Sequence, residues 1–233
     1  MKNQKAIKIL MDHLGKKFST SLGIDLSQKN SDEIFKWFLA SILFGARIKE
    51  TIVIKTYKEF EKEGVLTPED ILKTGWDGLV QILDAGGYVR YDFKTATKLL
   101  EMMKSLKKKY DGDLNLLHSK AKGSKDLEQK IKDLGKGIGE VTVNIFLREL
   151  RGIWYKAQPL PADLVLEGAK HLGFIFLKVG KEKSLSKLKN IWEKSKIKGK
   201  NFSDFESALV RLSKDFCRKK KCEICLVKDF CSL

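Results

Sequence analysis

Residues 124–150 read SKDLEQKIKDLGKGIGEVTVNIFLREL, and the fold follows from how this stretch divides. Leu127, Ile131 and Leu134 recur at i, i+4 and i+7, one face of a short helix. Val143, Phe146, Leu147 and Leu150 recur at i, i+3, i+4 and i+7, one face of a second helix. Between them lies Gly135-Lys136-Gly137-Ile138-Gly139. Glycine has no Cβ, so this backbone can turn tightly and approach a ligand closely. Ile138 is an apolar plug able to pin the two helices together. The N–H groups of Gly137, Gly139 and Glu140 lie at the start of the second helix, where unpaired amides and the dipole favour a phosphate oxygen. The same residues also suit an ordinary corner between two helices, with glycine there for geometry alone.

Outward from this hairpin the apolar spacing stays helical, and no alternating strand pattern appears. Residues 31–45, SDEIFKWFLASILFG, start at Ser31 as a cap and turn apolar on nearly every face, the pattern of a central buried helix. Thr67-Pro68-Glu69-Asp70 reads as a cap, a first-turn proline and acids at the positive end of the dipole. Over 92–109, Leu99, Met102, Met103 and Leu106 form one stripe, with lysines opposite. Ser203-x-x-Glu206 predicts a capping box opening a helix to about Phe216. The expectation is an all-α protein of about ten to twelve helices.

The chain has 233 residues, 42% of them apolar and 33% charged, a globular composition too apolar for disorder. The longest apolar run, Trp37 to Ala46, is about half of a membrane span. The first residues, MKNQKAIKILMDHLG, lack the continuous apolar region of a secretory leader, so an intracellular protein of the cytoplasm or nucleoid is expected. Lys and Arg number 46 against 30 acids, a net charge of +16. Residues 181–200 alone carry eight Lys and two Glu. A polyanion partner fits this imbalance, and a Lys-rich solvated surface is the plainer account.

Two further features carry chemistry. In Gln158-Pro159-Leu160-Pro161-Ala162-Asp163, two of the three prolines crowd before one acid. Asp163 can begin a helix through His171, either as its cap or as a carboxylate pointed at a substrate. All four cysteines fall in the last 17 residues, as Cys217-x4-Cys222-x2-Cys225-x5-Cys231. Four thiolates so close in sequence can surround a tetrahedral zinc ion or a [4Fe–4S] cluster, and spacing does not choose between them. Held rigid, the basic loop Arg218–Lys221 could meet phosphate without first losing conformational freedom.

These features, in this order, resemble the helix-hairpin-helix DNA glycosylase superfamily, specifically its endonuclease III-like iron–sulfur branch. The resemblance runs over most of the chain: the buried helix at 31–45, the hairpin GKGIGEVTVNIFL, the Pro-rich loop ending in Asp163 and the terminal cysteines. It implies two all-helical lobes with the lesion pocket between them. One lobe is a barrel of residues 22–120; the other joins 1–21 to 121–233. It implies that Asp163 is the catalytic carboxylate, assisting attack of water at C1′ of a flipped-out nucleoside or stabilising the cationic sugar. The hairpin residues Gly135, Lys136, Gly137, Ile138, Gly139 and Glu140 become a DNA-binding element. The segment Gly86–Tyr91 falls where the family inserts a loop into DNA, so Tyr88 or Val89 would fill the gap and Arg90 would touch phosphate. Gly45-Ala46-Arg47 is a second such loop. The four cysteines would hold a [4Fe–4S] cluster, with zinc as the alternative.

The chain departs from the family at informative points. Bifunctional members carry a lysine two residues after the last hairpin glycine; here that residue is Val141, which has no amine for a Schiff base. The expected enzyme is therefore a monofunctional glycosylase that leaves an abasic site. Lys136 and Lys156 are nearby amines, so a glycosylase with lyase activity is one alternative, and a non-catalytic DNA-binding protein is the other. Four residues, not six, separate Cys217 from Cys222, and no glutamine stands near Ala46. The loop PLPADLVL resembles the corresponding loop of alkylpurine glycosylases, which tilts the expected substrate towards purines. The expected partner is lesion-bearing double-stranded DNA, bound by a monomer. Trp37, Trp76, Trp154 and Trp192 read as core, and His13, His118 and His171 form no visible ligand set.

Overall fold

A computed structural model describes residues 2–176 and 179–232. Among these residues there are twelve α-helices and no strand. In chain order they are α1 (Lys2–Leu14), α2 (Phe18–Ser21), α3 (Ser31–Phe44), α4 (Glu50–Lys62), α5 (Pro68–Ala85) and α6 (Asp92–Tyr110). Then follow α7 (Leu114–Lys120), α8 (Ser124–Lys132), α9 (Glu140–Glu149), α10 (Asp163–His171), α11 (Lys181–Ser195) and α12 (Phe202–Leu212). A π-helical turn, Ser213–Cys217, and a 3₁₀ turn, Lys228–Phe230, close the chain. No described helix is long and apolar enough to cross a membrane.

The chain forms two compact units. One is Leu22–Gln158; the other joins the segment up to Ser21 to the segment from Pro159 onward. The N-terminal helix groups with the segment from Pro159 onward. The sequence reading puts 121–158 with these terminal segments; in the structure those residues, hairpin included, group with 22–120. The physical reason is the packing of α9 on α3. The Trp37 indole N–H donates to Phe146 O at 3.1 Å, and Phe38 meets the Phe146 ring edge-on at 5.1 Å. Ile34, Trp37, Phe38 and Leu43 have no exposed surface, so α3 is the central buried helix its composition predicts.

The caps show where local reading works. Thr67 caps α5, accepting from Asp70 N–H, with Pro68 in the first turn. Helix α6 buries Leu99, Met102, Met103 and Leu106 along one stripe. Two caps differ by a residue or two from expectation. Asn30, not Ser31, caps α3, its side chain accepting from Asp32 and Glu33 N–H. Asn201 and Asp204, not Ser203 and Glu206, form the capping box of α12. Both Ser203 and Glu206 are buried, because α12 is packed on almost every face.

In the terminal unit, Arg211 of α12 ties the N-terminal segment down. Its guanidinium donates to Leu14 O at 3.1 Å and also to Lys16 O, and lies 4.0 Å from the centre of the Phe18 ring. Helix α10 packs on α12 so closely that a Cβ at Gly168 would fall 2.7 Å from Leu209 O.

Candidate functional site

The Leu22–Gln158 unit gathers three sequence-predicted segments around the C-terminal end of α3. The first is the turn Gly45-Ala46-Arg47. A Cβ at Gly45 would lie 2.1 Å from Thr142 Oγ1, so this turn abuts the first turn of α9, and Arg47 is exposed there. The second is the loop Gly86–Tyr91. The Tyr88 hydroxyl donates to Leu43 O at 2.9 Å, anchoring the loop to the last turn of α3. The third is the glycine hairpin itself.

In the hairpin, Ile138 is buried, as an apolar plug should be. Gly137 takes φ +93°, a backbone conformation that L side chains rarely adopt, and a Cβ there would meet Lys98 Nζ at 2.6 Å. Gly135 passes so near α6 that a Cβ would lie 2.7 Å from Met102 Cγ. Gly139 occupies the N-cap of α9, where no side chain takes up the free amides. Glu140, at the first helical position, is 91% exposed, and its carboxylate is 3.7 Å from Lys132 Nζ. Val141 is exposed too and offers no amine. Lys136 is also part of this turn.

The structure separates Tyr88 from Val89. Tyr88 is fully buried, and burial pushes its phenol pKa well up, so it is a core residue and not an exposed wedge. Val89, at 62% exposure, is the residue the loop presents, with exposed Arg90 beside it over the Tyr91 ring. Lys98 is a cation that sequence reading missed. On α6 it looks like any solvated lysine, and only the approach of Gly137 brings it to the hairpin. Trp37 and Trp154 are core; Trp192 is half-buried against Phe205; Trp76 is partly exposed beside Phe93.

In the terminal unit, Asp163 opens α10, and Ala162 holds the N-cap position. The Asp163 carboxylate faces across to α11, where Lys181 Nζ donates to Oδ1 at 2.8 Å. The hydrogen bond from Lys181 lowers its pKa most, desolvation opposes it in part, and the charges of Lys181, Arg218 and Lys170 lower it further. The group is therefore an exposed carboxylate held ionised by cations.

The cysteine segment clamps the same helix. Arg218 pairs with Glu167 of α10 at 2.7 Å. Ser232 N–H donates to His171 O at 2.7 Å, and Ser213 Oγ donates to Leu164 O at 2.6 Å. The four cysteines form no disulfide. Burial raises the Cys217 thiol to about 11, and nearby Cys225, Cys231 and Cys222 push the same way. Burial raises the Cys225 thiol as well, offset in part by the hydrogen bond from the Val227 N–H. The thiols are thus close enough to sense one another, although no three potential ligands among the described residues converge as around an ion. A donor set of four thiols without a carboxylate suits a soft centre, zinc or iron–sulfur.

Compared with known proteins, the sequence matches no family model and no curated protein.

The hairpin glycines are not equivalent. Gly137→Ala is expected to cost about 1 kcal/mol or more in urea denaturation, from its positive φ. Gly139→Ala, with open space around it, is expected to stay within about 0.5 kcal/mol of the parent.

Proposed function

We propose that the protein is a monofunctional DNA glycosylase that releases a damaged or mismatched base from duplex DNA and leaves an abasic site. The observation that carries this reading is the state of Asp163. Its carboxylate is exposed, ionised and bound to another helix's lysine instead of to its own helix end. An anion of this kind can stabilise the cationic sugar as the glycosidic bond breaks, or orient water at C1′. Preorganised electrostatics of this type contribute several kcal/mol.

The convergence around α3 supports the DNA half of the reading. Gly137, Gly139 and Glu140 offer backbone amides, Lys98 and Lys136 add charge, and Arg47 and Arg90 sit on the neighbouring turns. Val89 is the apolar side chain available to enter the stack when a base is flipped out. With Val141 at the position of the lyase lysine, hydrolysis without strand cleavage is the expected outcome. The net charge of +16 attracts the phosphate backbone at large.

The same reading gives Cys217, Cys222, Cys225 and Cys231 a [4Fe–4S] cluster. Bound there, it supplies a rigid cross-link for the segment that clamps α10. Arg218, Ser213 and Ser232 hold α10 whether or not the centre is iron–sulfur.

Asp163→Asn is expected to keep affinity for lesion-bearing duplex while losing base release by about 10²-fold or more, read as alkali-labile sites in oligonucleotides that each carry one lesion. Undiminished release would overturn the assignment. The parent is expected to show no strand cleavage before alkali and no borohydride-trapped adduct.

Activity requires the Asp163 anion, so it falls as pH drops through that group's lowered pKa. Lys181→Gln removes the largest cause of the lowering, so the acid limb of the pH–rate profile is expected to move to higher pH. An unmoved limb would detach Lys181 from the carboxylate's ionisation.

The purified protein is expected to be yellow-brown and to contain about four iron atoms per chain, the content of one [4Fe–4S] cluster. A colourless protein with one zinc would replace iron–sulfur by the alternative centre.

A further inference from the structure

A cavity of about 440 Å³ opens within the Leu22–Gln158 unit, beyond the C-terminal end of α9. Its volume is within the ordinary range of small-molecule sites. Lys29, Asn115, His118, Trp154, Tyr155 and Gln158 line it. The hairpin glycines precede α9 and the cavity follows it, so this is not the hairpin's phosphate site.

Its walls are aromatic. The His118 ring lies parallel to the Trp154 indole, 4.6 Å between centroids and 6° between planes. Tyr155 meets His118 edge-on at 5.0 Å, yet the residue is 74% exposed. Lys156 Nζ lies over the Tyr155 ring, 4.8 Å from its centre, and the rest of that exposed ring is a stacking surface beside the cavity.

One polar atom is unmet. His118 Nε2 is buried and has no hydrogen-bond partner. A buried ring nitrogen without a partner is unfavourable, and a ligand edge that reaches it relieves that.

The charge is one-sided. Among the described residues no acid lines the cavity. Lys156 is nearly buried and donates to His118 O and Ser119 O, each at 2.9 Å. Burial, then Lys156 and Lys29, lower the His118 pKa to about 4, so the ring is neutral at physiological pH and the local charge is that of the lysines. The Asn115 amide supports this wall: Asn115 Oδ1 accepts from the Trp154 indole N–H, and Nδ2 donates to Lys29 O.

A planar heteroaromatic ring with hydrogen-bonding edges and a negative charge answers all three features together. We propose that this cavity binds a nucleotide, with its base among the Tyr155 and His118 rings and its phosphate towards Lys29. The proposal stands apart from base release at Asp163. The chemistry is shared by a free nucleotide and by an unpaired nucleotide in a DNA strand.

The test uses the full-length protein labelled with ¹⁵N, the Trp154 indole signal being identified with Trp154→Phe. Adenosine monophosphate and a short single-stranded oligothymidylate are titrated separately. A saturable shift of the Trp154 indole with the mononucleotide identifies a free-nucleotide site; a shift with the oligonucleotide alone identifies a strand site. Either result upholds the cavity. His118→Phe, which keeps the stack but removes the nitrogen, is expected to weaken binding about fivefold, the loss of one hydrogen bond. Tyr155→Ala, at an exposed position, is expected to weaken it as well with an unchanged thermal melt. No shift with either probe, or an identical shift with inorganic phosphate alone, would overturn the proposal. Base release measured on the same preparation reports on Asp163 separately, so failure of one reading does not carry the other with it.

Discussion

Burial of α3 is the constraint on which the central unit depends. A helix apolar on nearly every face must be surrounded, and here α9 covers part of it through Phe146, which takes both the Trp37 indole hydrogen bond and the Phe38 ring edge. That contact draws the hairpin into the Leu22–Gln158 unit. It also fixes what can gather at the end of α3. The helix must stop there, its last carbonyls need donors, and Gly45, Ala46 and the Tyr88 hydroxyl provide them. Three surface loops, each unremarkable alone, are thereby assembled around one helix terminus.

The terminal unit solves a different problem. Helix α10 has nine residues and stands at the end of a proline-rich approach, too short to hold its own geometry. It is fastened along its length by Ser213 to Leu164, by Arg218 to Glu167 and by Ser232 to His171. The cysteine segment is thus a clamp on the helix that begins with Asp163. A four-thiolate centre there would stiffen the clamp without touching substrate, which fits a structural use of the cysteines.

Local pattern carried much of this. Helical periodicity gave the class, the α6 stripe and the Thr67–Pro68 start of α5, because each depends on residues within one or two turns. The hairpin was legible because glycine spacing and flanking apolar faces are local properties. Caps were located less well. Asn30 and Ser31, or Asn201 and Ser203, are chemically interchangeable as caps, and which one takes up the role depends on where packing begins the helix. The boundary between the units was missed for a similar reason: 121–158 could group with either side until α9 found α3.

By itself the sequence determined an all-helical chain with a basic surface, a glycine turn able to approach phosphate, one acid after a proline pair and four clustered thiols. Only the tertiary structure decided that Tyr88 is core and Val89 exposed, since neighbouring residues in a turn face opposite environments. It alone brought Lys98 to Gly137, Lys181 to Asp163, and His118 to Trp154. Those pairs are separated by 39, 18 and 36 residues in the chain. No local periodicity encodes such contacts, because they arise from the packing of whole helices; Lys98 and Lys181 bring charge to the hairpin and to Asp163, and the ring pair builds the cavity wall.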